Sequence, residues 1–119
     1  MTKGRIYVAG RYRPFFPEKT ILTSENVREQ IALNIAVAQH AGMLIAEKGY
    51  YPVIPHNFTI GFDATQSDQL WLEGSLEEML TCDGVYMLQG WTESSGARNE
   101  ALEAEAANIP VYYDLRELS

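Results

Sequence analysis

The chain has 119 residues, enough for one hydrophobic core and a single domain over 1–119. Hydrophobic residues make up 46% and the net charge is −7. It therefore reads as a globular protein, and duplex nucleic acid and anionic membranes, which select a basic face, are excluded as its main partners.

Arg5-Ile-Tyr-Val-Ala9 predicts a buried strand stopped by Gly10. A loop with Pro14 and Pro17 follows, and a helix starts near Ser24. Val27, Ile31, Ile35, Ala38, Gly42 and Ile45 recur at helical spacing until Gly49 ends the run. Tyr51-Pro-Val-Ile-Pro55 predicts a short second strand, placed near a sheet edge by its prolines. A polar loop over 56–66 leads to an amphipathic helix over 67–81, with Leu70, Leu72, Leu76, Met79 and Leu80 as its apolar positions. Strand three is expected at 84–88, a third helix at 96–107, a fourth strand at 109–113 and a short turn after it.

Strands alternating with helices predict an α/β fold with a parallel sheet and right-handed crossovers. The expected architecture is a single-domain, flavodoxin-like (Rossmann-like) three-layer sandwich with strand order 2-1-3-4. In that order the chain reverses direction between strands one and three and opens a crevice, where such folds bind ligands. The loops Gly10–Phe16 and Gln89–Gly96 lie above it.

The second of these loops runs into Ser94-Ser-Gly-Ala-Arg-Asn-Glu100, a small-residue turn between an apolar strand and an alanine-rich helix. Gly96 allows close approach of a ligand, and a helix start offers free N–H groups to an anion. Glu100 is expected in the first helical turn, where the dipole favours an ionised carboxylate. Ordinary helix-start chemistry accounts for the same residues.

Ile6-Tyr-Val-Ala-Gly10, Leu80-x-Cys-Asp83 before a strand, Gly90-Trp91, and Ser94-x-Gly96-x-x-x-Glu100 together resemble the nucleoside 2-deoxyribosyltransferase-like superfamily. The resemblance runs from about residue 5 to 113 and is nearest to the small bacterial and phage branch, close to the deoxynucleoside 5′-monophosphate N-glycosidases. It implies cleavage or exchange of N-glycosidic bonds on nucleosides or nucleotides, with Glu100 as nucleophile and a glycosyl-enzyme intermediate. Tyr7 corresponds to the strand-one tyrosine that orients the glutamate; without the resemblance, a packed strand aromatic accounts for it. Ser94 stands where nucleoside transferases usually carry an aspartate for the 5′-hydroxyl and where the monophosphate hydrolases carry a phosphate-binding serine. A serine can donate to phosphate and an aspartate would repel it, so a 5′-phosphorylated ligand is implied. Ser75 stands in place of an aspartate that contacts the sugar and assists at the leaving base. Serine cannot take over proton transfer at neutral pH, which leaves a non-catalytic nucleotide-binding or regulatory module as the alternative. Asp68, Glu73 and Glu77 are candidates to compensate.

Arg11, Arg13 and Arg98 are candidates for countercharge to a phosphate, and Gly10 for close approach to it. His56, after strand two, is a candidate acid for a leaving base or a loop cap. Trp91, Tyr12, Phe15 and Phe16 stack on a base or build a subunit interface; both readings stand. Asp83 reads as a loop-bonding residue and the single cysteine, Cys82, as a buried core thiol that permits no internal disulfide. His40 has no partner at metal-ligand spacing, so neither metal nor cofactor is expected. With no leader or membrane span legible, a cytoplasmic protein is expected. It is expected to bind a small nucleoside or nucleotide and to form a homodimer or higher homo-oligomer, as the resembled family commonly does.

Overall fold

The computed structural model describes residues 2–10, 23–55 and 68–119. The apolar run at the N-terminus forms β1 (Arg5–Ala9), an inner strand of a four-stranded sheet. It pairs with β2 (Tyr51–Val53) on one side and β3 (Gly84–Met87) on the other, and β3 pairs in turn with β4 (Val111–Tyr112). Every pairing is parallel and the order is β2-β1-β3-β4, as the alternation of strands and helices predicts. Tyr7 sits in register between Val53 and Val85. Pro52 lacks an amide hydrogen and is tolerated because β2 is an edge strand.

The two-residue period of the strands divides the core into two layers. Tyr7, Ala9, Val53, Val85 and Met87 share one face with Met79, Cys82, Ala97, Ala101 and Ala104. Ile6, Val8 and Leu88 point to the other, against Ala38, Ala41, Ile45 and Leu118. Helix α1 (Ser24–Glu47) therefore covers one face, while α2 (Asp68–Met79) and α3 (Ser95–Ala106) cover the opposite one. This is an α/β three-layer sandwich. Thr23 caps α1 by accepting the Asn26 N–H at 3.0 Å, and Gly49 leaves the helix with a φ of 97°.

The elements differ from the sequence expectation mainly at their ends. Strand β2 stops at Val53 instead of 55, at the last residue that pairs with β1. Strand β4 is reduced to Val111–Tyr112; Pro110 ahead of it has no N–H to give, although its carbonyl accepts the Val85 N–H at 2.9 Å. On α2, Leu76 and Met79 face the core, whereas Leu70 and Leu80 are exposed. A 3-10 turn at Trp91–Glu93 that the sequence reading did not include lies between β3 and α3.

Candidate active site

Helix α3 lies against the sheet through Ala97, Ala101 and Ala104, all buried. Their spacing of four and three residues makes one stripe, and their small side chains let the helix axis come close to the strands. Glu100 falls beside the same stripe, three residues after Ala97, so this helix carries a carboxylate towards the sheet.

The partner of that carboxylate is Tyr7, fully buried in the middle of β1. The Tyr7 phenol donates a hydrogen bond to Glu100 Oε2. Burial pushes the Glu100 carboxyl up to about 7, against the Tyr7 hydrogen bond, which favours the ionised form and pulls the other way. Tyr7 itself is held well above the ordinary phenol range, first by burial and then by the neighbouring Glu100 charge. A phenol that stays protonated is a permanent donor to the glutamate.

The expectation that Glu100 sits in the first turn of its helix is incorrect. Ser94 is the N-cap: its Oγ accepts the Ala97 N–H at 3.2 Å, and the helix opens at Ser95. Glu100 is thus the sixth helical residue, in the second turn, past the free N–H groups that would stabilise its charge. Its upward shift agrees with that position.

Ser75 is half-buried on α2, next to Leu76, and a hydrogen bond from its hydroxyl eases the ionisation of the Tyr7 phenol, against the larger effect of burial. Glu73 and Glu77 are exposed on the same helix. Trp91 is half-buried against the core and tilts 37° onto Tyr113 with ring centroids 5.6 Å apart, forming a wall beside the α3 start. Arg98 donates from Nη1 to the Thr92 carbonyl, strapping the 3-10 turn to α3. Gly96 is the second helical residue; with Ser95 it supplies the N–H groups that helical geometry leaves without an intrahelical acceptor.

Gly10 has a packing reason for being glycine: a Cβ there would lie 2.6 Å from Leu88 Cδ1 and 2.8 Å from its Cβ. Asp83 accepts the Arg5 N–H at 2.8 Å, a bond that ties the start of β1 to the loop before β3. Cys82 is buried in the core, and burial raises its thiol. Among the described residues no cluster of His, Cys, Asp and Glu is arranged to hold a metal ion. Arg11, Tyr12, Arg13, Phe15, Phe16 and His56 lie outside the described residues. The spacing of alanines 97, 101 and 104 is the sequence signal for Glu100 pointing inward, whereas no pattern in the chain reports the Thr92 and Tyr113 contacts.

A parallel 2-1-3-4 sheet with a buried Tyr–Glu pair below its helix start has the nucleoside 2-deoxyribosyltransferase-like fold. A solved structure of a 2-deoxyribosyltransferase from the psychrotolerant bacterium Bacillus psychrosaccharolyticus superposes with a TM-score of 0.58 at 18% identity, over 90% of this chain and 69% of that one. The chain belongs to the DUF4406 family, a domain of unknown function, whose profile matches residues 24–113. No curated protein sequence matches it.

Proposed function

We propose that the protein cleaves or exchanges the N-glycosidic bond of nucleosides or, preferentially, of (deoxy)nucleoside 5′-monophosphates, with Glu100 as the nucleophile. The observation that carries this reading is the Tyr7–Glu100 hydrogen bond at the core side of the α3 start. Tyr7 holds Oε2, and Oε1 is the oxygen presented to C1′. Attack forms a C1′–O bond as the C1′–N bond breaks, and its electron pair leaves with the base, which takes up a proton. Water or a second base then attacks C1′ of the glycosyl ester and frees the glutamate, with net retention. Because the carboxyl titrates at about 7, kcat/KM should rise with pH through that region.

Ser94 and the N–H groups of Ser95 and Gly96 take the 5′-phosphate in this reading. The Ser94 oxygen accepts from Ala97, so its hydroxyl hydrogen is the donor that meets the anion. Self-association into a homodimer or larger assembly belongs to the same proposal.

The test is incubation with a panel of nucleosides and deoxynucleoside 5′-monophosphates, followed by chromatography of free base. Release is expected, and Glu100→Ala is expected to abolish it; release at an unchanged rate in that variant refutes the mechanism. A second reading is favoured by Ser75, which leaves the pair without a second carboxyl: a module that binds nucleotide without consuming it. In that case nucleotide raises the melting temperature by mass action and is recovered intact.

A further inference from the structure

Tyr7 is 0 % exposed, so both its proton and its oxygen lone pairs need partners inside the protein. An ionised carboxylate has no proton to give, so the single phenolic hydrogen must go to Glu100. Having spent it, the phenol can only accept from the second hydroxyl beside it, that of Ser75. Ser75 reaches this place because α2 turns the face of Leu76 and Met79 onto the core layer that contains Tyr7. The three groups therefore stand in one direction of donation, from Ser75 to Tyr7 to Glu100, drawn from α2, β1 and α3.

We propose that Ser75 is a positioning residue: its hydroxyl donates to the Tyr7 oxygen, fixes the phenolic proton on Glu100 and strengthens the bond that keeps the nucleophile ionised. This deepens the functional reading above and rests on it for its catalytic meaning, but not for its chemistry. A donor to the phenol oxygen makes the phenol a stronger donor in turn. A carboxylate at position 75 would do the reverse. It would compete for the same phenolic proton and set a second negative charge near Glu100. Among the described residues, the other titratable group acting on Tyr7 is Cys82, beyond the end of α2, and Tyr7 is the group that acts on Glu100 besides burial. Any influence of Ser75 on Glu100 thus passes through the phenol.

The experiment is a titration of the Glu100 side-chain carboxyl by 13C NMR, with its signal assigned by loss in Glu100→Gln. Ser75→Ala is expected to raise the midpoint by roughly 0.1–0.7 pH units, which corresponds to 10–30% of a charge-assisted hydrogen bond. Ser75→Thr, which keeps the hydroxyl, should restore it, and Ser75→Asp should raise it further than alanine does. In a Tyr7→Phe background the Ser75→Ala shift should vanish. An unmoved midpoint in Ser75→Ala, or the same shift with and without the Tyr7 hydroxyl, overturns the proposal. If the alanine variant does not fold, Ser75→Cys replaces it: its weak S–H donor should give a midpoint above that of Ser75→Thr, and equal midpoints overturn the proposal. Base release separates the two levels. A protein that shows the pattern without turnover keeps the relay and loses the glycosidase reading, whereas turnover with an unmoved midpoint does the opposite.

Discussion

Glu100 has to be buried to face a sugar in a dry site and ionised to attack it, and these demands oppose each other. Burial raises its carboxyl from 4.5 to about 7, so the fold binds that proton more tightly than the unfolded chain does. The contribution to stability is therefore fully present below about pH 4.5, falls as pH rises towards 7, and stays lost above it. Across that window the loss amounts to about 2–3 kcal/mol for a carboxyl that retains some solvent access. Glu100→Gln is expected to match the native protein at pH 5 and to melt several degrees higher at pH 8; equal melting temperatures at both pH values would count against the buried charge. Tyr7 is the counterweight: among the described residues, its hydrogen bond is the interaction that favours the ionised form. Removing its hydroxyl in Tyr7→Phe should move the ascending limb of kcat/KM, or the carboxyl titration itself, upward by about one pH unit. A limb that stays near 7 would mean that the phenol does not tune the glutamate.

At the level of elements, the start of α3 serves two purposes that one residue can separate. Ser94 caps the helix through the Ala97 N–H and, in the proposed function, meets a phosphate. Ser94→Ala should cost about 1 kcal/mol in urea denaturation without any ligand present. Ser94→Asp should keep the cap, since aspartate is as good an N-cap, yet turn a preference of at least about tenfold for the monophosphate into one for the nucleoside. Equal native affinity for both ligands would take the phosphate away from Ser94. The same element marks the limit of what could be read from the chain. The strands were legible because each is a short apolar run, the first stopped by Gly10, and the parallel order followed from their alternation with helices. The Ser94–Glu100 turn was legible as a motif, but the cap that moves Glu100 into the second turn depends on one hydrogen bond that no periodicity reports. Nor could spacing reveal that the Tyr7 phenol donates to Glu100, 93 positions away, or that the Ser75 hydroxyl acts on that phenol. Gly10 shows the converse: its likeness to a ligand-approach glycine is accounted for by Leu88.

At the scale of the molecule, α1 is out of proportion to the sheet it covers. Its 24 residues span about 36 Å, against about 17 Å for the five of β1. The buried residues described on it, Ala38, Ala41, Gly42 and Ile45, all lie in its C-terminal half. The face away from the sheet nonetheless carries exposed apolar side chains among charged ones: Leu33 is 58%, Val37 54% and Met43 63% exposed, with Glu29, His40 and Glu47 on the same side. A stripe of large apolar residues left exposed among the described residues marks an association surface. A second copy of the same helix, laid antiparallel, would bury the stripe on both sides under one two-fold axis. Light scattering at tens of micromolar protein should accordingly give at least twice the 13.4 kDa chain mass. Leu33→Glu together with Val37→Glu should return the monomer, because two buried unpaired carboxylates per subunit oppose the interface while costing nothing in a solvated helix face. A native monomer at that concentration would refute self-association, and a native dimer that survives the double substitution would place the interface elsewhere than on α1.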